Sequence, residues 1–589
     1  MFRCFIVTFL FLFLYQSMAI GAPFFPYETS EKKLSNGLTV ISCKMPTPGQ
    51  AAVMVIVRTG SRDEYEEGHT GFAHLFEHMM FRGTKKRPGN AYYAATQAVG
   101  ADTNAFTSFD QTAYHLVFAS EDLDFILSLE GDRFQNLHYT KNDFKTETGA
   151  VLGEYLGGRS HAYSWLKEKV QATAFKQHSY GHTVIGYEED IKAMPKLYDY
   201  SRKFYSRYYR PDNTILLIVG DINHAEALRS VKKHFGSWQK GYTAPKVRPE
   251  PKQEKTRRAH VDFPGRAVPT VTLCFKAPAF SAVKKDIVAC EVLGPLLFGK
   301  QSELFQKLVI DEQKVTRFWP GFSLLRDPGL LTITAALKNK DESPYVEKCM
   351  LEAIDDFVKN GTNNKEVKDI IRNRKYGFLS ELVNVKWACF AIGHYLALGG
   401  SMTTIEDFYK TLSSLNNHDV QNAAKKHLGL SQLSVVTLEG KSKQLSTVNK
   451  LNPIVELHEP KDPTVSLIHW FKVGSQNDPL GKEGLCHLTT RMLEKGGTKE
   501  LSYKSLQKKL FPLCPHIDSR TDKEMTTLSA HIHRDNMNEF YQLWRQIVFA
   551  PGFRQEDFDR VKTETLQYLT KRLRHGNDEE LAKKTLHHY

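Results

Sequence analysis

The stretch Gly71-Phe72-Ala73-His74-Leu75-Phe76-Glu77-His78 combines two imidazoles and a carboxylate within one short amphipathic segment. On a helix, His74 and His78 are about one turn apart, so both rings leave the same face and can bind one tetrahedral Zn²⁺. Glu77 falls on the adjoining face, where its carboxylate can hold a water on that metal. Histidines at this spacing also occur as surface residues or as hydrogen-bonded core residues, which is the alternative. The stretch therefore predicts a helix that carries a metal site for hydrolysis.

Predicted strands and helices alternate on both sides of this stretch. Strands are predicted at 37–42, 51–59, 102–107, 112–118, 213–221, 270–275 and 330–336, and helices at 122–133, 144–156 and 365–381. The alternation lacks the regular β-α-β-α period of a parallel, doubly wound sheet. We therefore predict an α+β fold of repeated domains, in which mixed or antiparallel sheets have helices packed on one face.

The C-terminal part of the chain repeats the motif region in degenerate form. Gly71-Phe72-Ala73-His74-Leu75 recurs as Gly484-Leu485-Cys486-His487-Leu488, and the strand before it and the Gly-Thr pair after it also recur. In this repeat, Thr490 and Arg491 replace the last two residues of the His-x-x-Glu-His pattern. Because a cationic arginine cannot ligate zinc, we expect the repeat to shape the molecule or bind a partner, but not to hydrolyse.

The N-terminus and two polar linkers define the predicted organisation. Met1-Phe2-Arg3, an apolar run of eleven residues to Leu14 and small residues beyond it are typical of a secretory signal peptide. An uncleaved anchor is the alternative, although a membrane span needs about 20 apolar residues. The predicted segments are a signal peptide at 1–22, a motif-bearing domain at 27–240, a linker at 241–258, a companion domain at 259–438, a linker at 439–460 and a partial degenerate copy at 461–589. We expect a secreted or periplasmic protein without a later membrane span.

Charge and cysteine content exclude several other classes of protein. The formal net charge of +13 comes from 79 Lys and Arg residues that are interleaved with 66 Asp and Glu residues, which indicates a solvated basic surface and no nucleic-acid partner. The eight cysteines include no C-x-x-C pair, so neither a thiolate zinc site nor a disulfide framework is expected.

A catalytic zinc needs three protein ligands, and the predicted helix at 144–156 supplies two candidates for the third. Glu147 and Glu154 are seven residues apart, two helical turns, and therefore share a face. From the spacing alone either carboxylate is eligible as the ligand. A solvated acidic face is the alternative.

Four segments together resemble one family. Gly60-Ser61-Arg62-Asp63-Glu64, the stretch from Gly71 to Thr84, Asn104-Ala105-Phe106-Thr107 and Val151-Leu152-Gly153-Glu154 resemble the pitrilysin/insulysin (insulinase) family of inverzincin metallopeptidases. The resemblance covers 37–240 well. It includes the spacing of the third ligand, since Glu154 lies 76 residues after His78.

The resemblance implies a role for each residue of the site. The implied ligands of one Zn²⁺ are His74, His78 and Glu154, the implied general base is Glu77, and the implied supporting carboxylate is Glu147. Substrate would bind as an added strand along 102–107, with Asn104 and Ala105 as contacts. For Asn104, an ordinary turn residue at a strand end is the alternative.

By the same resemblance, the protein is expected to be an exported zinc-dependent metalloendopeptidase that hydrolyses peptides or unfolded polypeptides. Members of that family enclose substrate between two halves of two domains each, and this chain is expected to stop within its third domain. A second chain would then supply the missing half. The alternative is a catalytically impaired peptide-binding or assembly subunit that needs such a partner chain to complete its chamber.

Overall fold

A computed structural model describes residues 23–265, 267–382, 384–440, 464–510, 513 and 515–567 of the chain. These residues belong to two units, Met1–Thr447 and Val448–Tyr589, and each unit is described by itself. The predicted signal peptide at 1–22 and most of the predicted linker at 439–460 lie outside the described residues.

The first unit begins with a six-stranded mixed sheet and its helices. The strands are β1 (Glu28–Lys33), β2 (Thr39–Lys44), β3 (Gln50–Val57), β4 (Asp102–Thr107), β5 (Thr112–Ala119) and β6 (Thr214–Gly220). The helices are α1 (Phe72–Met79), α2 (Ala91–Ala98), α3 (Leu123–Asn136), α4 (Lys141–Gly158), α5 (Ala162–Ala174), α6 (Glu188–Ala193), α7 (Tyr198–Tyr208) and α8 (His224–Phe235). The strand order is β1-β2-β6-β3-β5-β4, in which β2 and β6 are parallel and the other neighbours antiparallel.

The same unit continues with a second sheet of five strands. They are β7 (Arg257–Phe263), β8 (Thr270–Lys276), β9 (Val315–Phe322), β10 (Leu330–Leu337) and β11 (Leu433–Gly440), in the order β7-β11-β8-β10-β9. The helices of this domain are α9 (Lys285–Phe298), α10 (Glu303–Phe305), α11 (Ser343–Asn360), α12 (Asn364–Glu381), α13 (Val385–Gly399), α14 (Thr403–Ser413) and α15 (Asn417–His427). Helix α13 packs across β3 and β6 of the first sheet.

Alternation along the central strand β3 places the first sheet between two apolar cores. Val53, Val55 and Val57 pack with α1 and its neighbouring helices. Met54 and Ile56, which point to the other face, pack with the companion domain. Because β3 is buried on both faces, the sheet is a rigid support for the helix that carries the His-x-x-Glu-His motif.

The second unit contains a three-stranded sheet of order β12-β14-β13. Its strands are β12 (Thr464–Phe471), β13 (His516–Thr521) and β14 (Thr526–His533), and its helices are α16 (Leu485–Lys495), α17 (Tyr503–Leu510), α18 (Met537–Phe549) and α19 (Gln555–Gln567). The element order β12-α16-α17-β13-β14-α18-α19 repeats β3-α1-α2-β4-β5-α3-α4 of the first unit. The repeat seen in the motif residues therefore extends to the fold.

These sheets and helices confirm the predicted α+β class with mixed sheets. The predicted helix at 144–156 is longer in the structure, because Thr140 and Asp143 form a capping box that starts α4 at Lys141. Six of the cysteines lie in the described residues, and all six are free thiols. Among the described helices, none has the length and apolar character needed to cross a bilayer.

Candidate metal centre

Helix α1 begins at a carboxylate that caps its N-terminus. The buried Glu64 accepts hydrogen bonds from the backbone N–H groups of Gly71, at 2.8 Å, and Ala73, at 2.6 Å. Gly71 has a φ of 88°, a left-handed conformation that favours glycine. A negative side chain at a helix N-terminus satisfies free amides and complements the helix dipole. This cap determines where the turn that carries His74 and His78 begins.

The structure brings His74, His78 and Glu154 together from α1 and α4. The Nε2 atoms of His74 and His78 lie 3.5 and 3.6 Å from the same Glu154 oxygen. Ligand atoms bound to one tetrahedral zinc at 2.0–2.1 Å are about 3.3 Å apart, so these separations suit a shared ion. The two imidazole centroids are 4.9 Å apart and the rings are inclined by 75°. Two imidazoles and one carboxylate form a donor set that fits Zn²⁺ with one position left open for water.

The electrostatics of the cluster also favour a metal. His74 is 8% exposed, and burial lowers its pKa, so the ring is held in the neutral form that ligates metals. The Nδ1 atom of His74 is buried without a hydrogen-bond partner among the described residues, which leaves Nε2 as the nitrogen that faces the cluster. A hydrogen bond with His78 lowers the pKa of Glu154, which favours the anionic carboxylate.

Glu147 takes a different place from Glu154. One of its oxygens lies 3.3 Å from Nδ1 of His78, on the side of the ring away from the cluster, and the other forms an ion pair with Arg82. The two carboxylates that spacing alone could not separate are thus distinguished by geometry. Arg82 is absent from the sequence-based site. Its position four residues after His78, one helical turn on, is the signal that could have identified it.

Glu77 faces the edge strand β4. Its Oε2 atom accepts a hydrogen bond of 2.6 Å from the hydroxyl of Thr107, the last residue of that strand. Thr107 is absent from the sequence-based site, although it closes the Asn104-Ala105-Phe106-Thr107 segment. The contact holds the Glu77 carboxylate at the end of β4.

Strand β4 is the last strand of the first sheet and pairs only with β5. Asn104 lies within the strand, opposite His115, so it is not a turn residue. The backbone N–H of Ala105 does not enter the ladder, because it donates a 2.9 Å hydrogen bond to Oδ1 of Asn104. This N–H is therefore directed to the open edge of the sheet, where an added strand would pair.

The second unit repeats this scaffold without the donor set. Asp478 caps α16 through the N–H groups of Gly484 and Cys486, both at 2.7 Å, as Glu64 caps α1. Thr521 contacts Thr490 at 3.1 Å, in the place of the contact between Thr107 and Glu77. The repeat thus preserves the geometry of the site while it changes the chemistry.

The remaining positions of the repeat are also altered. Arg491, at the position of His78, pairs with Glu494 at 2.9 Å. Val561 stands at the position of Glu147 when Asp143-Phe144 is aligned with Asp557-Phe558. Within the described residues of this unit, His, Cys, Asp and Glu form no cluster of three with metal-ligand spacing. Among the residues that the structure describes, His487 therefore belongs to no cluster of three potential metal ligands.

Family models match most of the chain. The model described as insulinase (peptidase family M16) matches residues 39–188 and again residues 454–588. The model described as the peptidase M16 inactive domain matches residues 197–374. The double match of the first model agrees with the internal repeat.

Individual proteins extend this similarity. The chain is 29% identical over 413 residues to the zinc protease PqqE of Helicobacter pylori, covering 69% of this chain and 91% of that protein. A crystal structure of a protease from Helicobacter pylori is 28% identical with a TM-score of 0.65, covering 70% of this chain and all of that one (100%). The fold is also similar to that of the periplasmic protease PqqL from Escherichia coli, with a TM-score of 0.59 at 17% identity, covering 96% of this chain and 70% of that one.

Proposed function

We propose, since this chain belongs to the insulinase family (peptidase family M16), that it is a zinc-dependent metalloendopeptidase that hydrolyses peptides or unfolded polypeptides. The observation that carries the proposal is the convergence of His74, His78 and Glu154 around one point, with the neighbouring Glu77 held by Thr107 at the end of β4. A bound Zn²⁺ would supply Lewis acidity and lower the pKa of a water towards ~7.

The side chains have separate roles in the proposed reaction. His74, His78 and Glu154 hold the ion. The Glu77 carboxylate accepts the proton of the attacking water and returns it to the nitrogen of the leaving amine. The Thr107 hydroxyl holds Glu77 in position through its 2.6 Å hydrogen bond.

The substrate would bind as an extended strand beside β4. Ala105 offers its N–H at the open edge, and Asn104, whose Oδ1 occupies that N–H in the free protein, turns aside to contact the peptide. Strand addition recognises the peptide backbone, so it suits substrates that lack stable structure. Glu147 is proposed as a supporting carboxylate that holds His78.

Substitution of Glu77 tests the proposal directly. We expect Glu77→Gln to retain one zinc per chain, measured by atomic emission, and to lower kcat for an unstructured peptide by roughly 10²–10⁴. Glu67→Gln, which changes an exposed glutamate of the same domain, is the matched control and should cleave as the wild type does. Zinc-loaded Glu77→Gln that cleaves at the wild-type rate would remove the general-base role.

Export and domain organisation belong to the same proposal. We propose that residues 1–22 are a signal peptide, that 27–240 form the catalytic domain, and that 259–438 and 461–589 are an inactive companion and a degenerate copy, joined by linkers at 241–258 and 439–460. N-terminal sequencing of the protein from a fractionated native culture tests export. A cytoplasmic chain that still begins at Met1 would contradict it.

A second candidate function is that of a peptide-binding or assembly subunit completed by a partner chain. Strand β12 leaves Ile468 and Trp470 51% and 64% exposed on one face of its sheet. Their counterparts in the equally long β3, Met54 and Ile56, are at most 1% exposed because α13 covers them. An exposed aromatic and aliphatic pair on a sheet face suits a partner that lays an apolar helix across it, as α13 does.

The two candidates differ in what pure protein does. If the chain is a binding subunit, we expect the pure, zinc-loaded and monodisperse chain to bind an unstructured peptide without cleaving it. We also expect a native complex in which the chain pairs one to one with a second polypeptide. The double variant Ile468→Ser, Trp470→Ser should lose that complex and keep its zinc. Cleavage by pure wild-type chain would instead favour the peptidase.

A further inference from the structure

We propose that Arg82 is a positioning residue of the metal centre. Its guanidinium holds the Glu147 carboxylate against Nδ1 of His78, and this fixes the imidazole with Nε2 towards Glu154. The inference rests on the proposed zinc site and adds one residue to it. Arg82, in the turn after α1, acts on the ligand His78 near the end of that helix.

The backbone around Arg82 is held in place. Its N–H donates to the carbonyl of Met79 at 3.0 Å, which closes the last turn after α1. Gly83 follows with a φ of 92°, and the N–H of Thr84 then donates to the carbonyl of Arg87 at 3.0 Å. Such a tight, hydrogen-bonded turn gives the Arg82 side chain a fixed origin next to the face of α1 that bears His78.

Glu147 connects Arg82 to the ligand. The residue is 7% exposed, and it uses its two oxygens separately, Oε1 for Arg82 and Oε2 for Nδ1 of His78 at 3.3 Å. Burying a carboxylate is costly unless the group is paired and hydrogen-bonded. Before a metal binds, the adjacent cation on this carboxylate is Arg82.

The consequence for His78 is a defined tautomer and ring orientation. A carboxylate at Nδ1 favours the proton on that nitrogen, which leaves the lone pair of Nε2 free for the ion. If Arg82 is replaced by a neutral residue, Glu147 loses the cation that holds its carboxylate beside Nδ1 of His78. His78 then loses the group that orients it.

The degenerate repeat lacks an equivalent of the contacts that link Arg82 through Glu147 to His78. Arg491 replaces His78 and Val561 replaces Glu147, so neither the ligand nor the carboxylate that would link it to a neighbouring cation is present. The connection and the ligand it serves thus occur together in the first unit only, among the described residues.

Zinc affinity, measured by competition with a chromophoric chelator on the full-length chain, tests the inference. We expect Glu147→Gln to weaken zinc binding 10- to 100-fold and Arg82→Gln to weaken it roughly 10-fold, as is typical for partners of metal ligands. Arg82→Lys should recover part of the loss, because lysine restores the charge but not the planar guanidinium. The double variant should bind no more weakly than Glu147→Gln alone, since Arg82 acts through that carboxylate.

Arg87→Gln is the matched control. Arg87 lies in the same turn and pairs with Asp132 at 2.9 Å, away from the ligands, so its loss should leave zinc affinity unchanged. Thermal unfolding of the zinc-free variants checks that each one folds.

Two outcomes overturn the inference: wild-type zinc affinity in Arg82→Gln, or a double variant whose loss is the product of the two single losses. Failure of the zinc site itself gives a different result, since then the wild type binds no stoichiometric zinc and Glu147→Gln changes nothing.

Discussion

At the scale of single residues, burial lowers the pKa of two histidines, His74 and His115, which lie in different surroundings. His74 faces Glu154 and the proposed ion, with its pKa lowered by burial. His115, on β5, packs 4.8 Å from the ring of Phe390 in α13, and burial lowers its pKa to about 4. The charges near His115 are Lys386, which lowers its pKa further, and Asp102, which opposes that effect. Because His115 is buried between two domains, its protonation affects the stability of the first unit.

We expect acid to destabilise the first unit through His115. A folded pKa of about 4 lies below the ordinary 6.5, so the stabilisation is present above pH 6.5 and is lost as the pH falls towards 4, by on the order of 3 kcal/mol. His115→Leu should remove this part of the pH dependence, measured as the difference in urea midpoint between pH 7.5 and pH 4.5. His161→Gln, at an exposed histidine, serves as the control. A variant as acid-sensitive as the wild type would refute the assignment.

A second residue-scale prediction compares the two equivalent histidines of the repeat. His74→Ala should reduce bound zinc from one per chain to well below it, because it removes one of three ligands from a preformed site. His487→Ala should keep full zinc content, since Thr490 and Arg491 stand beside it in place of a base and a ligand. Metal analysis after dialysis against buffered zinc measures both. Zinc loss in the His487 variant would show that the repeat binds metal.

At the scale of secondary-structure elements, strand β4 combines structural and functional duties. One edge pairs with β5, while the other edge is open and ends at Thr107, which contacts Glu77. The strand is therefore placed to align a bound backbone with the general base. Backbone N–H groups at a sheet edge can pair with an added strand. Here the N–H of Ala105 donates instead to Oδ1 of Asn104.

Removal of that N–H should weaken substrate binding selectively. Proline is tolerated on an edge strand, and Ala105→Pro deletes one donor, so we expect KM to rise about 10-fold, the equivalent of one hydrogen bond. Zinc content should stay at one per chain, and kcat should change less than KM. Ala105→Gly, which keeps the N–H, is the matched control. An unchanged KM in the proline variant would place the substrate elsewhere.

For several strands the sequence pattern is sufficient to predict the element. The continuous apolar run of β3 and the hairpin of β4 and β5 follow directly from residue type, and the structure has these strands close to the predicted bounds. Helix α4 begins three residues before the predicted bound of 144, because the Thr140–Asp143 capping box sets its start and the apolar pattern does not. A cap is a local hydrogen-bonding choice that hydrophobic periodicity does not report.

At the scale of the whole molecule, the described residues divide into two units, and the proposed metal centre belongs entirely to the first. Its ligands come from α1 and α4, which are far apart in sequence, so a bound ion would join two elements of one unit. The second unit has the same element order around its own apolar core, which includes the buried Trp544. Zinc is therefore expected to stabilise the two units unequally.

Hydrogen exchange measures that inequality. At a free zinc concentration 100 times Kd, binding adds about 2.7 kcal/mol to the stability of the state that holds the ion. We expect zinc to slow amide exchange in α1 and α4 and to leave α16 and α18 unchanged, relative to chelator-treated protein. The Glu154→Gln variant is the control in which zinc should have a much smaller effect. Equal protection of α16 would mean that zinc acts on both units.

The sequence by itself determined the α+β class, the internal repeat, and the residues proposed for the candidate site. These follow from local pattern, since alternation, helical spacing and repeated motifs are written along the chain. The tertiary structure decided which carboxylate lies beside both imidazoles, which one is paired with Arg82, and that Thr107 contacts Glu77. Glu147 and Glu154 share a helix face two turns apart, so only the packing of α4 against α1 assigns them different neighbours.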